Sequence, residues 1–205
     1  MKNIVKTLII TLSSALVLTS CVKEDDYVIP EMREPFFAER FEDVTNNTNL
    51  DLAGWTNFAE EGTWVWRERI FDDNGYAEFS AYNSGAASNV VWLITPQIDA
   101  SLYQNPKLTF KCAQHHLDFD DPENSLEVLY STDFDGTDVL AATWTSLDGL
   151  NLPTSEADWY AFFRSDVAVP SIENLHIAFK FRGSGTNTDY DGAFQVDDVF
   201  VYNQN

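Results

Sequence analysis

The sequence predicts an all-β domain, an antiparallel jelly-roll β-sandwich of about ten strands. Three observations carry that expectation. Apolar and polar residues alternate over short runs; Gly, Asn, Asp and Pro stand between the runs; and past the N-terminus no stretch repeats its apolar residues at the helical period. In chain order the expected strands are 36–44, 63–71, 75–83, 89–95, 107–115, 126–131, 143–147, 159–167, 175–182 and 193–202. The run from Leu175 to Arg182 is the clearest. Leu175, Ile177, Phe179 and Phe181 fall on one face, and His176, Ala178, Lys180 and Arg182 fall on the other. A period of two implies one face on a core and one towards water. Leu126, Val128 and Tyr130 alternate with Glu127, Leu129 and Ser131 in the same way. Asp73-Asn74-Gly75, Asn83-Ser84-Gly85, Asp135-Gly136 and Asp191-Gly192 mark turns between strands.

The N-terminus reads differently. Lys2 and Lys6 precede an apolar run from Leu8 to Leu18, which is too short for a stable membrane-spanning helix. Leu18-Thr19-Ser20-Cys21 then matches the bacterial lipoprotein signature, in which cleavage exposes a lipid-modified cysteine. Residues 1–20 are therefore expected to be a signal peptide. Residues 21–35 are expected to form an acidic, flexible tether, and 36–205 the sandwich domain. Val22-Lys23-Glu24-Asp25-Asp26 resembles the export signal of Bacteroidetes lipoproteins, which implies an outer-membrane, lipid-anchored protein exposed at the cell surface.

Charge narrows the partners. The chain carries 12 Lys+Arg against 33 Asp+Glu, a formal net charge of -21, so its surface repels nucleic acid and anionic lipid. Contact with a membrane is expected through the lipid anchor only. At 44% hydrophobic residues the composition can still build a core. With Cys21 committed to lipid, only Cys112 remains; it sits in a strand-like run and is expected to be a buried thiol.

The order of segments resembles a known group. Phe41-Glu42 opens it, followed by Gly54-Trp55-Thr56-Asn57-Phe58, Trp64-Val65-Trp66 and Ser80-Ala81-Tyr82. Trp92-Leu93-Ile94-Thr95-Pro96-Gln97-Ile98-Asp99 and the run from Leu126 to Gly136 come next, then Ile177-Ala178-Phe179-Lys180-Phe181 and Val196-Asp197-Asp198-Val199. This pattern is similar to the choice-of-anchor J domain of Bacteroidetes surface proteins, and through it to cleaved-adhesin and MAM-like jelly rolls. The resemblance runs from about Phe41 to Tyr202. It implies a jelly roll, surface display and a binding or adhesive role, with calcium as a structural ion.

The resemblance also implies where calcium would sit. An acid on the first strand meets one at the start of the last strand in related jelly rolls, and the matching residues are Glu42 and Asp197, with Asp43 and Asp198 as alternates. By strict alternation Asp197 shares a face with Val199 and Val201 and points inward, unless a bulge intervenes. A second acidic run (Asp118, Asp120, Asp121, Glu123) follows His115-His116 but lacks the spacing of a calcium loop, and adjacent histidines on a strand point to opposite faces. Of the six tryptophans, Trp64 and Trp66 should share one face, and Trp92 lies in an apolar strand. Trp55, Trp144 and Trp159 flank turns and are the candidate ligand-binding aromatics, since the C–H face of a sugar stacks on an exposed ring.

No Gly-x-Ser-x-Gly elbow, His-Glu-x-x-His or Walker loop is present, so no catalytic residue is assigned. The expectation is a non-catalytic binding protein for an extracellular glycan. Binding to another surface protein is the alternative, and a glycosidase-like enzyme is a further one. Fatty-acid labelling in a bacterial host tests the anchor: label should enter the wild-type chain and be lost in Cys21→Ser.

Overall fold

The structure, a computed structural model, describes residues 34–204. Cys21, the leader and most of the tether lie outside the described residues. Twelve strands form two antiparallel sheets. They are β1 (Pro35–Glu39), β2 (Thr48–Asn49), β3 (Thr56–Glu61), β4 (Arg67–Phe71), β5 (Asn74–Ser80), β6 (Asn89–Ile94), β7 (Pro106–His115), β8 (Ser125–Ser131), β9 (Thr145–Ser146), β10 (Phe163–Ala168), β11 (His176–Gly183) and β12 (Ala193–Asn203). Among the described residues a single 3-10 turn, Thr188–Tyr190, precedes β12. The seven-stranded sheet runs β10-β7-β12-β5-β4-β2, with β1 also on β12; the five-stranded sheet runs β3-β6-β11-β8-β9. The domain is thus the all-β jelly-roll sandwich that alternation predicts.

Period-two patterning places the core between the sheets. Phe79, Phe110, Cys112, Val196 and Val199 of the larger sheet meet Leu93, Val128, Ile177, Phe179 and Phe181 of the smaller one, all essentially fully buried. The Phe79 and Phe181 rings lie 4.5 Å apart, and those of Phe110 and Phe179 5.1 Å. Burial pushes the Cys112 thiol well above its ordinary pKa, so it is a structural thiol, as expected.

Several local expectations change. β2 and β3 were not expected. β3 is a polar edge strand whose only bulky apolar residue, Phe58, is half-buried, and a register shift between Ala59 and Glu61 breaks its alternation. The strand expected at 63–71 begins at Arg67, because the Asn57 side chain clamps the chain at Trp66: its Oδ1 accepts from the Trp66 N–H (2.9 Å) and its Nδ2 donates to the Trp66 carbonyl (2.8 Å). Trp66 is fully buried while Trp64 is 36% exposed, so the two do not share one face. The strand expected from 159 begins at Phe163, since Tyr160 adopts a positive φ.

The outer face of the smaller sheet is not the solvent face expected of it. Residues 132–146 fold over it, and Phe134, Val139 and half-buried Trp144 cover Trp92, Ile94, Leu129 and Ala178 in a second apolar cluster. The larger sheet keeps its outer face open.

The hairpin between β4 and β5 also departs from the expected turn. Asp72 and Asp73 both have positive φ between the paired Phe71 and Asn74, which makes Asp72-Asp73 the turn. Gly75 has a different reason to be glycine: a Cβ there would fall 1.9 Å from the Phe41 carbonyl oxygen. Phe41 is fully buried, so backbone would have to move. Urea melts should therefore show Gly75→Ala losing about 2–3 kcal/mol, an overpacking cost against backbone. Gly136→Ala, at a positive φ with nothing near, should lose only about 1 kcal/mol.

Candidate functional site

The open face of the larger sheet holds a cleft of about 670 Å³. Strand alternation decides its floor. Residues at alternate positions of β5, β12 and β7 that do not enter the core point outward: Tyr76 and Glu78, then Gln195 and Asp197, then, four apart, Lys111 and His115. Arg69 of β4 joins them through the β4–β5 pairing. Three exposed aromatics form the rim: Phe71 (74% exposed), Tyr160 (53%) and Phe162 (38%).

The rim is held in place. Tyr160 donates its backbone N–H to the Gln114 carbonyl (2.8 Å), and buried Gln114 Nε2 donates to the carbonyl of Ala157 (2.9 Å). The Tyr160 ring stacks on His115 at 4.8 Å, and the Trp159 indole lies 4.0 Å from the His116 ring. On the opposite rim, Asn74 Nδ2 donates to Asp197 Oδ2 (3.1 Å) and fastens the hairpin that carries Phe71.

Glu78 is the hub of the floor. Its carboxylate accepts from Gln195 Nε2 (2.8 Å), faces Arg69 Nε at 3.2 Å and lies 3.4 Å from His115 Nε2. Burial opposes its ionisation, but the hydrogen bonds from His115 and Gln195, together with the charges of His115 and Arg69, outweigh that and hold its pKa below the ordinary value. Asp197 goes the other way. Burial raises its pKa, helped by the charge of Asp198 and resisted by Asn74, the Asp198 N–H and Lys111.

The expected site residues separate into two groups. Asp197 is almost fully buried, yet it does not face the core with Val199. A bulge intervenes: the β12 register shifts between Asp197 and Phe200 and Asp198 has φ 49°, which turns Asp197 into the cleft. Asp198 faces Lys111 Nζ at 2.7 Å and Arg40 at 3.8 Å. Glu42 and Asp43 are exposed in the turn after β1. Among the described residues no group of three or more His, Cys, Asp or Glu side chains converges as a metal cage. Cations and amides already engage Asp197 and Asp198.

Among the aromatics, Trp159 is exposed as expected (52%) and sits beside Tyr160 on the rim loop. Trp55 instead packs against the core beside Phe41 (5.6 Å). Trp144 donates its indole N–H to the Val139 carbonyl (2.9 Å) and packs on Trp92 (5.3 Å). Both fill gaps that the sheets leave, which a turn-flanking position did not reveal. The histidines also differ from expectation: a positive φ at His116 ends β7 and brings the two Nδ1 atoms within 2.7 Å. Phe71, Tyr160, Phe162, Glu78 and Gln195 were not singled out from the sequence; the available signal was their place on the non-core face of alternating strands or just beyond strand ends.

The opposite shifts give opposite pH signatures. A lowered folded pKa makes Glu78 stabilising above the ordinary carboxylate pKa, and this is lost as pH falls through the folded value. A raised folded pKa means the stability associated with Asp197 is fully present below the ordinary value and declines as pH rises through the folded one. At neutral pH, Glu78→Gln should lower the thermal midpoint and Asp197→Asn should raise it, with both differences vanishing in strong acid.

No family model matches the chain, and no curated protein matches it. Solved structures do. The K1 cleaved adhesin domain of Lys-gingipain from Porphyromonas gingivalis W83 shares 18% identity over 82% of this chain and 98% of that one, with a TM-score of 0.51. The K2 domain of Lys-gingipain shares 14% identity over 82% of this chain and 99% of that one, TM-score 0.52. A carbohydrate-binding module described for specific mannan recognition aligns at 12% identity over 84% of this chain and 98% of that one, TM-score 0.45. At these identities the likeness to the cleaved adhesin domains is one of fold alone.

Proposed function

We propose that the domain is a non-catalytic glycan-binding module that holds its ligand in the cleft on the open sheet, displayed at the cell surface by a lipid on Cys21. The observation that carries this reading is the pairing of an aromatic rim with a polar floor. Phe71, Tyr160 and Phe162 offer exposed ring faces, and a pyranose ring stacks its C–H groups on such faces. Below them Glu78, Gln195, Asp197, Lys111 and Arg69 supply acceptors and donors in alternation, which suits hydroxyls that both give and take hydrogen bonds.

The carboxylates of the floor support binding rather than hydrolysis. Glu78 is held by Gln195, His115 and Arg69, and Asp197 by Asn74 and the Asp198 N–H. A general acid must be free to pass its proton to the leaving oxygen. The −21 net charge supports a partner that is not a polyanion, and a cleft site makes a broad, flat protein interface the weaker alternative.

A glycan array probed with the purified protein tests the reading. Binding to a defined set of glycans is expected, without release of reducing ends. Tyr160→Ala and Phe71→Ala should each weaken the best ligand about tenfold, near 1.4 kcal/mol for one stacked ring. A blank array, or binding indifferent to both substitutions, would reject the assignment.

A further inference from the structure

The aromatic-rimmed cleft is not alone on the open face. A second cleft, of about 220 Å³, lies on the same face beyond the bulge, with Phe200 and Thr109 at its centre and exposed Arg164 at its edge. Register makes the two contiguous. Asp197 pairs with Lys111 in the first cleft, and the next outward pair along the same two strands is Phe200 with Thr109 in the second. The ion bridge of Asp198 to Lys111 and Arg40 joins a residue lining the first cleft to one lining the second, and the Arg40 guanidinium lies over the Phe200 ring at 4.9 Å. β7 runs along both clefts from Thr109 to His115, a path of about 20 Å at about 3.3 Å per residue, long enough for several sugar rings in a row.

Charge on this face is concentrated and balanced. Arg69 meets Glu78, Lys111 and Arg40 meet Asp198, and Lys107 meets Asp166 at 3.5 Å. Cations neutralised by carboxylates of the same face leave little attraction for an anionic chain, and the acidic body repels one. The paired groups still present N–H donors and carboxylate acceptors to hydroxyls.

Resting on the glycan reading above, we infer that the site spans both clefts and takes an internal stretch of a linear, uncharged polysaccharide, which crosses β12 at the Asp197–Asp198 bulge with Phe200 as the distal stacking platform. Calorimetry on the purified protein with manno-, cello-, xylo- and oligogalacturonide series, from disaccharide to hexasaccharide, tests it. In one neutral series affinity should rise about tenfold from trisaccharide to hexasaccharide, the gain of one further stacked ring. Phe200→Ala should remove most of that gain and leave trisaccharide binding unchanged; Phe200→Leu, which keeps apolar packing without a ring face, should do the same and serves if Phe200→Ala fails to fold. Flat affinity with length, a gain that survives both substitutions, or tightest binding to oligogalacturonides would overturn the inference. If short neutral ligands still bind and Tyr160→Ala still weakens them, the one-cleft reading stands; if nothing in any series binds, both fall.

Discussion

β12 is hydrogen-bonded to β7 from end to end, yet its other edge changes partner, from β5 at Ala193–Val196 to β1 beyond Asp198. The change of neighbour coincides with a break in register, the bulge at Asp197–Asp198, with φ 49° at Asp198. Much else follows from it. Val196 and Val199 both stay in the core although they are three residues apart. Asp197 is thrown to the outer face, where Asn74 ties it to the β4–β5 hairpin, and Asp198 is left to two cations. β1 and β12 are therefore joined by ladder hydrogen bonds and the Arg40–Asp198 ion pair, with no disulfide among the described residues.

The two outer faces share the same pleat and have different fates. On the smaller sheet an apolar set, Trp92, Ile94, Leu129 and Ala178, needs cover, and the 132–146 segment supplies it. On the larger sheet the equivalent positions carry Glu78, Gln195 and His115, which satisfy one another, and Lys111, which pairs with Asp198, so they need no lid. Burying apolar surface drives the first arrangement; the high desolvation cost of charged groups keeps the second open.

Most strands were legible because each has one face on the core, and that writes a period of two into Leu175–Arg182 and Ala193–Val196. The edge strands β2 and β3 were not, since few of their residues are buried and Thr56–Glu61 carries too little apolar contrast. The site was less legible still. Phe71, Glu78, Lys111, Tyr160 and Gln195 lie far apart in sequence, and only the β4-β5-β12-β7 order brings them together. Trp55 and Trp144 show the converse: a ring beside a turn can fold back into a gap as readily as it faces solvent. Asp197 was placed by alternation, and alternation fails at a bulge.

Cys112 is fully enclosed between the sheets, and its thiol resists ionisation. Thiolate is the form that attacks a disulfide or takes up an oxidant, so this sulfur is removed from exchange by both access and chemistry. In air as under reductant, copies crowded side by side have no sulfur route to crosslinking through the sandwich.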